Sequence, residues 1–522
     1  MSTQHSSAAD WQRLSGRIIW VDLAQIVITQ LPLVIAIWVM GVSLGAGQLW
    51  PLVGLAAVGL IGAVGDAIRW LVTRYRVTPT YVELKTGVLF RRHRSIQRDR
   101  IRSIDTEAKL RHRIAGLRVV TIGAGQQATA DEAALELDAL IAADAGALRQ
   151  RLLSTEQGHS PNSDVLLEDE ETPEAQAATD REVPLQVFAR FRPGWVVYNI
   201  FNIWAYLVAL GLVGGGWWIL STLNIDVAGL LMASFDWASI GWIGTTVIVV
   251  IAVGLVGMLG MTVDFFTDFW KFELSRVRGP ESTELRTSQG LFTTREVNRD
   301  ETRIRGFHIS QPLFWRWMGV TDTLVITTGL SLWSMTQPAA ILPRVPLALA
   351  REVTADIMAP EASPFDAPLT KHPSAALRRR LWWATVITLI VGAILVVLII
   401  QEVIALEMLW AILGFWLFAL AGAFVAYRAL GHTITGKYLV VRSGLLNRST
   451  VALKTEATST IVICESLFQR RLGLQTVSAM TAAGYGGYDA PDLARQDSLE
   501  FATQAAPGFL DEFLEDEARS NT

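Results

Sequence analysis

Apolar runs of membrane-spanning length recur in pairs along this chain. Ile18 to Gly45 is followed by Leu49 to Val72, Trp195 to Leu223 by Ala238 to Val263, and Leu381 to Ile400 by Ile404 to Ala426. Crossing the hydrocarbon core takes roughly 20 apolar residues, so the pattern predicts six transmembrane helices in three hairpins. The first run is too long for a signal-peptide core and has no clear small-residue cleavage site, so it is kept as a membrane helix.

Between the hairpins the hydrophobic period changes to two. Tyr81-Val82-Glu83-Leu84 alternates and turns at Gly87. Leu89 to Arg94 reads as a returning strand, Ile101 to Asp105 as a third and Leu117 to Ile122 as a fourth. The Ala- and Leu-rich stretch Glu132 to Leu153 predicts a closing helix. In the later copies strands end near Gly329 and Gly484, and helices are expected at Leu347 to Met358 and Phe509 to Glu517. Several short strands closed by one helix predict a small β-barrel or sandwich capped at one end.

The order repeats. Gly87, Gly290 and Gly444 are each followed, 29 residues later, by Gly116, Gly319 and Gly473. Each second glycine closes a block in which Leu is followed three residues later by Arg, and Arg three later by Gly: Leu110, Arg113, Gly116; Leu313, Arg316, Gly319; Leu467, Arg470, Gly473. One module built three times explains this. The division that follows is hairpin 1 over 1–73 and module 1 over 74–153, an acidic disordered linker over 154–184, hairpin 2 over 185–265 and module 2 over 266–358. A Pro-rich linker over 359–374, hairpin 3 over 375–428 and module 3 with an acidic tail over 429–522 complete the chain.

Composition agrees: 51% hydrophobic residues, 18% charged residues and a mean hydropathy of +0.34 belong to a membrane protein. Basic residues mark its orientation. The short hairpin connections carry no Lys or Arg, whereas Arg13, Arg17, Arg69, Arg74, Arg190, Arg192, Lys271, Arg378, Arg379, Arg380 and Arg428 flank the opposite ends. The positive-inside rule then predicts that both termini and all three modules face the cytoplasm. The one cysteine, Cys464, excludes an intrachain disulfide or a thiolate metal cluster and is expected to be a small buried hydrophobe.

Two membrane helices, then Gly and two hydrophobic residues, a basic strand, an Arg-x-x-hydrophobic-Gly turn and a Gly-terminated strand resemble the bacterial pleckstrin-homology (bPH) membrane proteins of the YdbT-like kind. The resemblance covers nearly the whole chain. It implies an α+β membrane protein with a PH-like module, a partly open β-barrel with a C-terminal helix, after each hairpin. It also implies a role in the cell envelope, such as maintenance or antimicrobial resistance, and a smaller one-hairpin bPH companion protein.

The candidate binding surface is the basic run Arg91, Arg92, Arg94, Arg98, Arg100 and Arg102, with Arg111, His112, Arg113 and Arg118 further on. It reads either as a surface for anionic membrane-lipid head groups or as a solvated face obeying the positive-inside bias. Alternation sets Arg98, Arg100 and Arg102 on one face. Arg113, Arg316 and Arg470 read as turn holders that bond backbone carbonyls or an acidic neighbour. The six repeated glycines read as turn or close-approach positions. No catalytic, phosphate-loop or metal-ligand signature occurs, so neither cofactor nor metal nor nucleic acid is expected. The leading reading is a non-enzymatic platform for interaction or assembly, with a homo-oligomer among its expected assemblies. The alternative is a small-molecule or lipid transporter or flippase, for which Asp22 and Asp66 would be the first suspects.

Overall fold

Long apolar helices lie between strands that pair with one another. In this computed structural model the described residues are 11–21, 24, 28, 31, 46–87, 91–98, 101, 103–123, 134–153, 184–200, 204–222, 225–234, 237–279, 282–328, 339–358 and 363–509. Most of the first predicted span, almost all of the acidic linker, the acidic tail, Asp22, Arg100 and Arg102 lie outside them. The chain divides into two compact units, Met1–Thr302 and Arg303–Thr522.

In the first unit β1 (Gln12–Arg13), β2 (Arg74–Val77), β3 (Tyr81–Thr86) and β4 (Arg92–Gln97) form an antiparallel sheet in that order. The strands that follow are β5 (Ser103–Ala108), β6 (Leu117–Gly123), β7 (Ala134–Ile141), β8 (Gln186–Arg190), β9 (Glu273–Arg278), β10 (Thr283–Gln289) and β11 (Thr294–Asp300). They make a seven-stranded sheet ordered β7-β6-β5-β11-β10-β9-β8. Tyr75, Val82 and Leu84 from the first sheet meet Val120, Ile122, Leu135 and Leu137 from the second, with Leu148 and Leu152 of the helix Ala142–Leu153 completing the core. The first copy is therefore a sheet sandwich capped by a helix.

The second unit repeats the scheme. Its strands are β12 (Ile304–Pro312), β13 (Val320–Thr327), β14 (Ala340–Pro346), β15 (Gly431–Thr435), β16 (Tyr438–Ser443) and β17 (Asn447–Lys454), ordered β14-β13-β12-β17-β16-β15. A three-stranded sheet, β18 (Thr460–Cys464), β19 (Leu474–Met480) and β20 (Gly487–Ala494), closes over Leu439, Val441, Val451 and Leu453. Phe501, Ala502 and Ala505 of the helix Arg495–Ala505 fill the open end.

The modules are thus not separate barrels, because one sheet joins the end of each copy to the start of the next. β5 pairs with β11, and β12 with β17. Near the second joint the strands are buried on both faces: Phe307 and Ile309 on one side of β12 with His308 and Ser310 on the other, and Val451, Ala452 and Leu453 in β17. A strand buried on both sides loses the clean in-out alternation of a half-exposed one.

Among the described residues four helices are long and apolar enough to cross a membrane: Trp204–Ser221, Ser239–Asp268, Ser374–Ile400 and Leu406–Arg428. Leu210, Ile243, Leu259, Leu389 and Phe418 are bare on their surfaces, which points to a membrane-associated protein. A helix at Ala46–Val72 occupies the second predicted span. Gly257 lets the second hairpin close, since a Cβ there would lie 2.0 Å from the Ala205 carbonyl oxygen.

Three elements depart from the sequence reading. Ala134–Ile141 is a strand and the helix starts only at Ala142, because pairing with β6 buries Leu135 and Leu137 and overrides the helical propensity of Ala, Leu and Glu. In the third copy the helix Arg495–Ala505 packs on the core, and the predicted helix at 509–517 lies, Phe509 apart, outside the described residues. Cys464 is exposed, because β18 is the outer strand of its sheet.

The hairpin glycines have a steric cause. Gly87, Gly290 and Gly444 take φ of 105°, 113° and 114°, and a Cβ on Gly444 would sit 1.8 Å from the Asn447 carbonyl oxygen. Gly444→Ala is expected to destabilise the third copy by at least about 1–3 kcal/mol, read as a lower unfolding midpoint. The same change at Gly414, with nothing within 4 Å of its Cβ position, should leave the midpoint unchanged or slightly higher.

Candidate functional site

The second glycine of each copy ties the turn to the closing helix. Gly116, Gly319 and Gly473 are left-handed at φ 67°, 69° and 65°. Their carbonyls accept from the backbone N–H of Ala142, Leu347 and Arg495, the residues that open the closing helices. The three arginines before them have diverged. Arg113 Nη1 donates to the Leu291 carbonyl at 2.9 Å, so it reaches the hairpin turn of the next copy rather than its own turn. Arg470 lies 3.7 Å from Glu465 and is two-thirds exposed. Arg316 lends its charge to the surroundings of Arg448.

The predicted basic run is split by the fold. Arg92 and Arg94 lie on β4, with Arg91 just before it and Arg98 in the helical turn after it, so alternation stops at Gln97. Arg91 and Arg92 are exposed and Arg94 is half-buried. Register sets Arg92, Arg94 and Ile96 opposite Thr86, Leu84 and Val82, at the open end of the core face. Arg98 Nη1 donates to the Pro79 carbonyl at 3.4 Å, and burial lowers its pKa. His112 turns inward and is fully buried.

A second basic group was not legible as a run. Arg442 and Arg448 sit on neighbouring strands β16 and β17 of the second unit, and their pKa values are lowered, first by burial and then by positive neighbours. Those neighbours are Arg351 for Arg442, and Arg442, Arg316 and Arg351 for Arg448. Arg448 donates to Gln311 Oε1 at 3.0 and 2.6 Å, and Arg442 Nε to the Ala429 carbonyl at 3.1 Å, beside the end of the membrane-length helix Leu409–Arg428. Arg351 is paired with Asp366 at 3.1 Å, and the positive charge of the other three guanidiniums favours an anion.

The base of the third hairpin is the most densely bonded place in the second unit. Asp492 is fully buried, at φ 64°. Its carboxylate accepts from Arg379 Nη1 at 2.5 Å, from Arg380 Nη1 and from Gln469 Nε2 at 3.0 Å. Its carbonyl faces His372 Nδ1 at 3.1 Å, His372 Nε2 faces His432 Nδ1 at 3.1 Å, and Tyr427 Oη donates to the His372 carbonyl at 2.9 Å. Burial lowers both histidines, His432 to about 4 with His372 as a second cause. The segment read as a Pro-rich linker belongs to this base, because Thr370 bridges to His432 and Phe365 is buried. Arg379 and Arg380 were visible only as orientation signals. Nothing local singled out Asp492, since its strand carries a second acid, Asp489.

The other hairpins are held differently. β8 pairs with β9 across the second hairpin, and Phe191 lies against Phe265, Phe266 and Trp270. At the first, β1 pairs with β2, Trp70 Nε1 donates to the Leu14 carbonyl at 2.8 Å, and Lys85 and Arg76 lie over Trp11. No group of three metal-ligating side chains occurs among the described residues.

The family model described as bacterial PH domain matches residues 24–156 and 384–508, within the first and third copies. No curated protein and no solved structure matches the chain.

Proposed function

Because the chain carries bacterial PH domains, we propose that it is a non-enzymatic, multipass inner-membrane protein that holds three PH-like modules at the cytoplasmic face as a platform for assembly. The observation that carries this reading is the tie at each hairpin base. The segment before each hairpin is tied to the strand after it, β1 pairing with β2 and β8 with β9, and Thr370 making a single bridge to His432. A module fixed at both ends of its anchor keeps its height above the bilayer, and tethering lets weak contacts add up through effective concentration. Six spans, with both termini cytoplasmic, complete the proposed topology. Arg91, Arg92 and Arg94, with the Arg316, Arg442 and Arg448 group, would favour anionic lipid head groups, each contributing about 1 kcal/mol near the surface. A one-hairpin bPH companion fits the same role.

Affinity purification of the full chain in mild detergent, with mass spectrometry of bound proteins and lipids, tests the reading. A self-complex or a stoichiometric partner is expected, with anionic lipid reduced on neutralising Arg91, Arg92 and Arg94 together. Recovery of the chain alone, with lipid in bulk proportions, would sink it.

A further inference from the structure

The two internal joints obey one rule. At the first, Thr294, Arg295 and Glu296 face Ala108, Glu107 and Thr106. At the second, Arg448, Ser449 and Thr450 face Gln311, Ser310 and Ile309. Counted from the first glycine of the later copy (Gly290, Gly444) and the second glycine of the earlier one (Gly116, Gly319), the two registers are identical. The residue four after the first glycine always faces the residue eight before the second.

Two strands at the ends of the array are left over. β4 is the first copy's counterpart of β11 and β17, and β18 is the third copy's counterpart of β5 and β12. Each is the terminal strand of its sheet, with no strand paired to its outer side among the described residues. β18 reads Thr-Ile-Val-Ile-Cys, with Thr460, Ile463 and Cys464 exposed. An exposed apolar edge strand of this kind is a template for adding another strand.

We propose that β18 of one chain pairs antiparallel with β4 of a second copy, in the register of the internal joints. The same count sets Glu465 opposite Arg91, Cys464 opposite Arg92, Ile463 opposite His93 and Val462 opposite Arg94. The position taken by Glu465 and Arg91 is the one where Gln311 accepts two bonds from Arg448, and the position taken by Cys464 and Arg92 is the one where Glu107 faces Arg295. Of the residues so opposed to the basic edge of β4 one is acidic, Glu465, which within its own chain also bonds Arg495 and lies 3.7 Å from Arg470. The contact is heterologous, so each added copy presents a fresh β18 or β4, and the assembly extends or closes as a ring in the membrane plane. It rests on the platform reading for membrane confinement, which compensates for a short joint.

The lone native cysteine supplies the test. Directly opposed strand residues have Cα atoms about 4.5–5.5 Å apart, inside the range of about 4.4–6.8 Å that a disulfide spans. Full-length R92C, oxidised in native membranes with copper phenanthroline, is expected to give a ladder of dimers and larger multimers. Their yield should be at least tenfold above that of H93C, whose side chain points to the other face. The wild-type chain, with Cys464 alone, should stay monomeric. C464S/V462C/R94C gives an independent pair two residues along on the same face, should R92C fold poorly. Wild-type dimers through Cys464 would mean β18 pairs with itself, and a disulfide without change in mass would mean the chain closes on its own β4; either overturns the proposal. Failure of both cysteine pairs while tagged and untagged copies still co-purify would overturn this joint and leave the platform standing.

Discussion

Asp492→Asn is expected to lower the stability of the third copy by about 3–5 kcal/mol, the usual cost of removing one partner of a buried ion pair. The substitution keeps the side chain's size, and asparagine tolerates the left-handed φ of 64° as well as aspartate does, so added backbone strain is not the cause. The loss is electrostatic. Arg379 and Arg380 keep their positions with side chains 25% and 19% exposed, and neither retains a counter-charge on Asp492. That partial exposure pulls the effect toward the lower end of the range. Phe468 stacks on Trp382 at 4.2 Å, two residues beyond Arg380, so tryptophan fluorescence follows unfolding at this base. Arg351→Ala breaks an ion pair whose partners are 39% and 55% exposed and should change the midpoint far less. An Asp492→Asn midpoint equal to wild type would show that the node does not hold the hairpin base.

The expected difference explains what could be read from the chain. The apolar helices of membrane-crossing length and the glycines at positive φ were legible because they rest on local rules: about 20 apolar residues to cross a bilayer, and glycine where φ is positive, as at Gly290 and Gly444. The joints were not legible. β5 has β6 as its sequence neighbour, yet its other partner, β11, comes from the next copy, and no periodicity in Ser103–Ala108 names that partner. β7 failed for a related reason, since Ala134–Ile141 has helix-forming composition and becomes a strand only by pairing with β6. Cys464 looked like core because its neighbours are apolar; it is exposed because its sheet ends there. The Asp492 node joins residues more than 110 positions apart in sequence, so only the fold assembles it.

Mild acid should loosen the second unit well before general acid denaturation. His308 is buried, with Ser449 Oγ 2.7 Å from its Nε2 and no hydrogen-bond partner at Nδ1, and burial holds its pKa at about 4. His432 is also held at about 4 by burial and by His372 beside it, with Asp497 opposing the shift. His372 is lowered by burial and by Arg380, against the pull of Asp492. In the unfolded chain each titrates near 6.5. Below that pH the unfolded state takes up protons that the native state refuses, so stability is complete above pH 6.5 and falls as pH drops toward 4. Each histidine removes about 1.4 kcal/mol per pH unit. Counting the close His372–His432 pair as one group together with His308, the loss at pH 5 is about 4 kcal/mol. Asp322, whose pKa is raised by burial, acts in the opposite sense and offsets part of the loss at the acid end. Denaturant midpoints of the full chain in detergent at pH 7.5, 6 and 5 should therefore fall steadily, and His308→Gln should remove about half of the slope. A midpoint constant from pH 7.5 to 5 would mean that these histidines are protonated within the fold, and the packing described around them could not then persist unchanged.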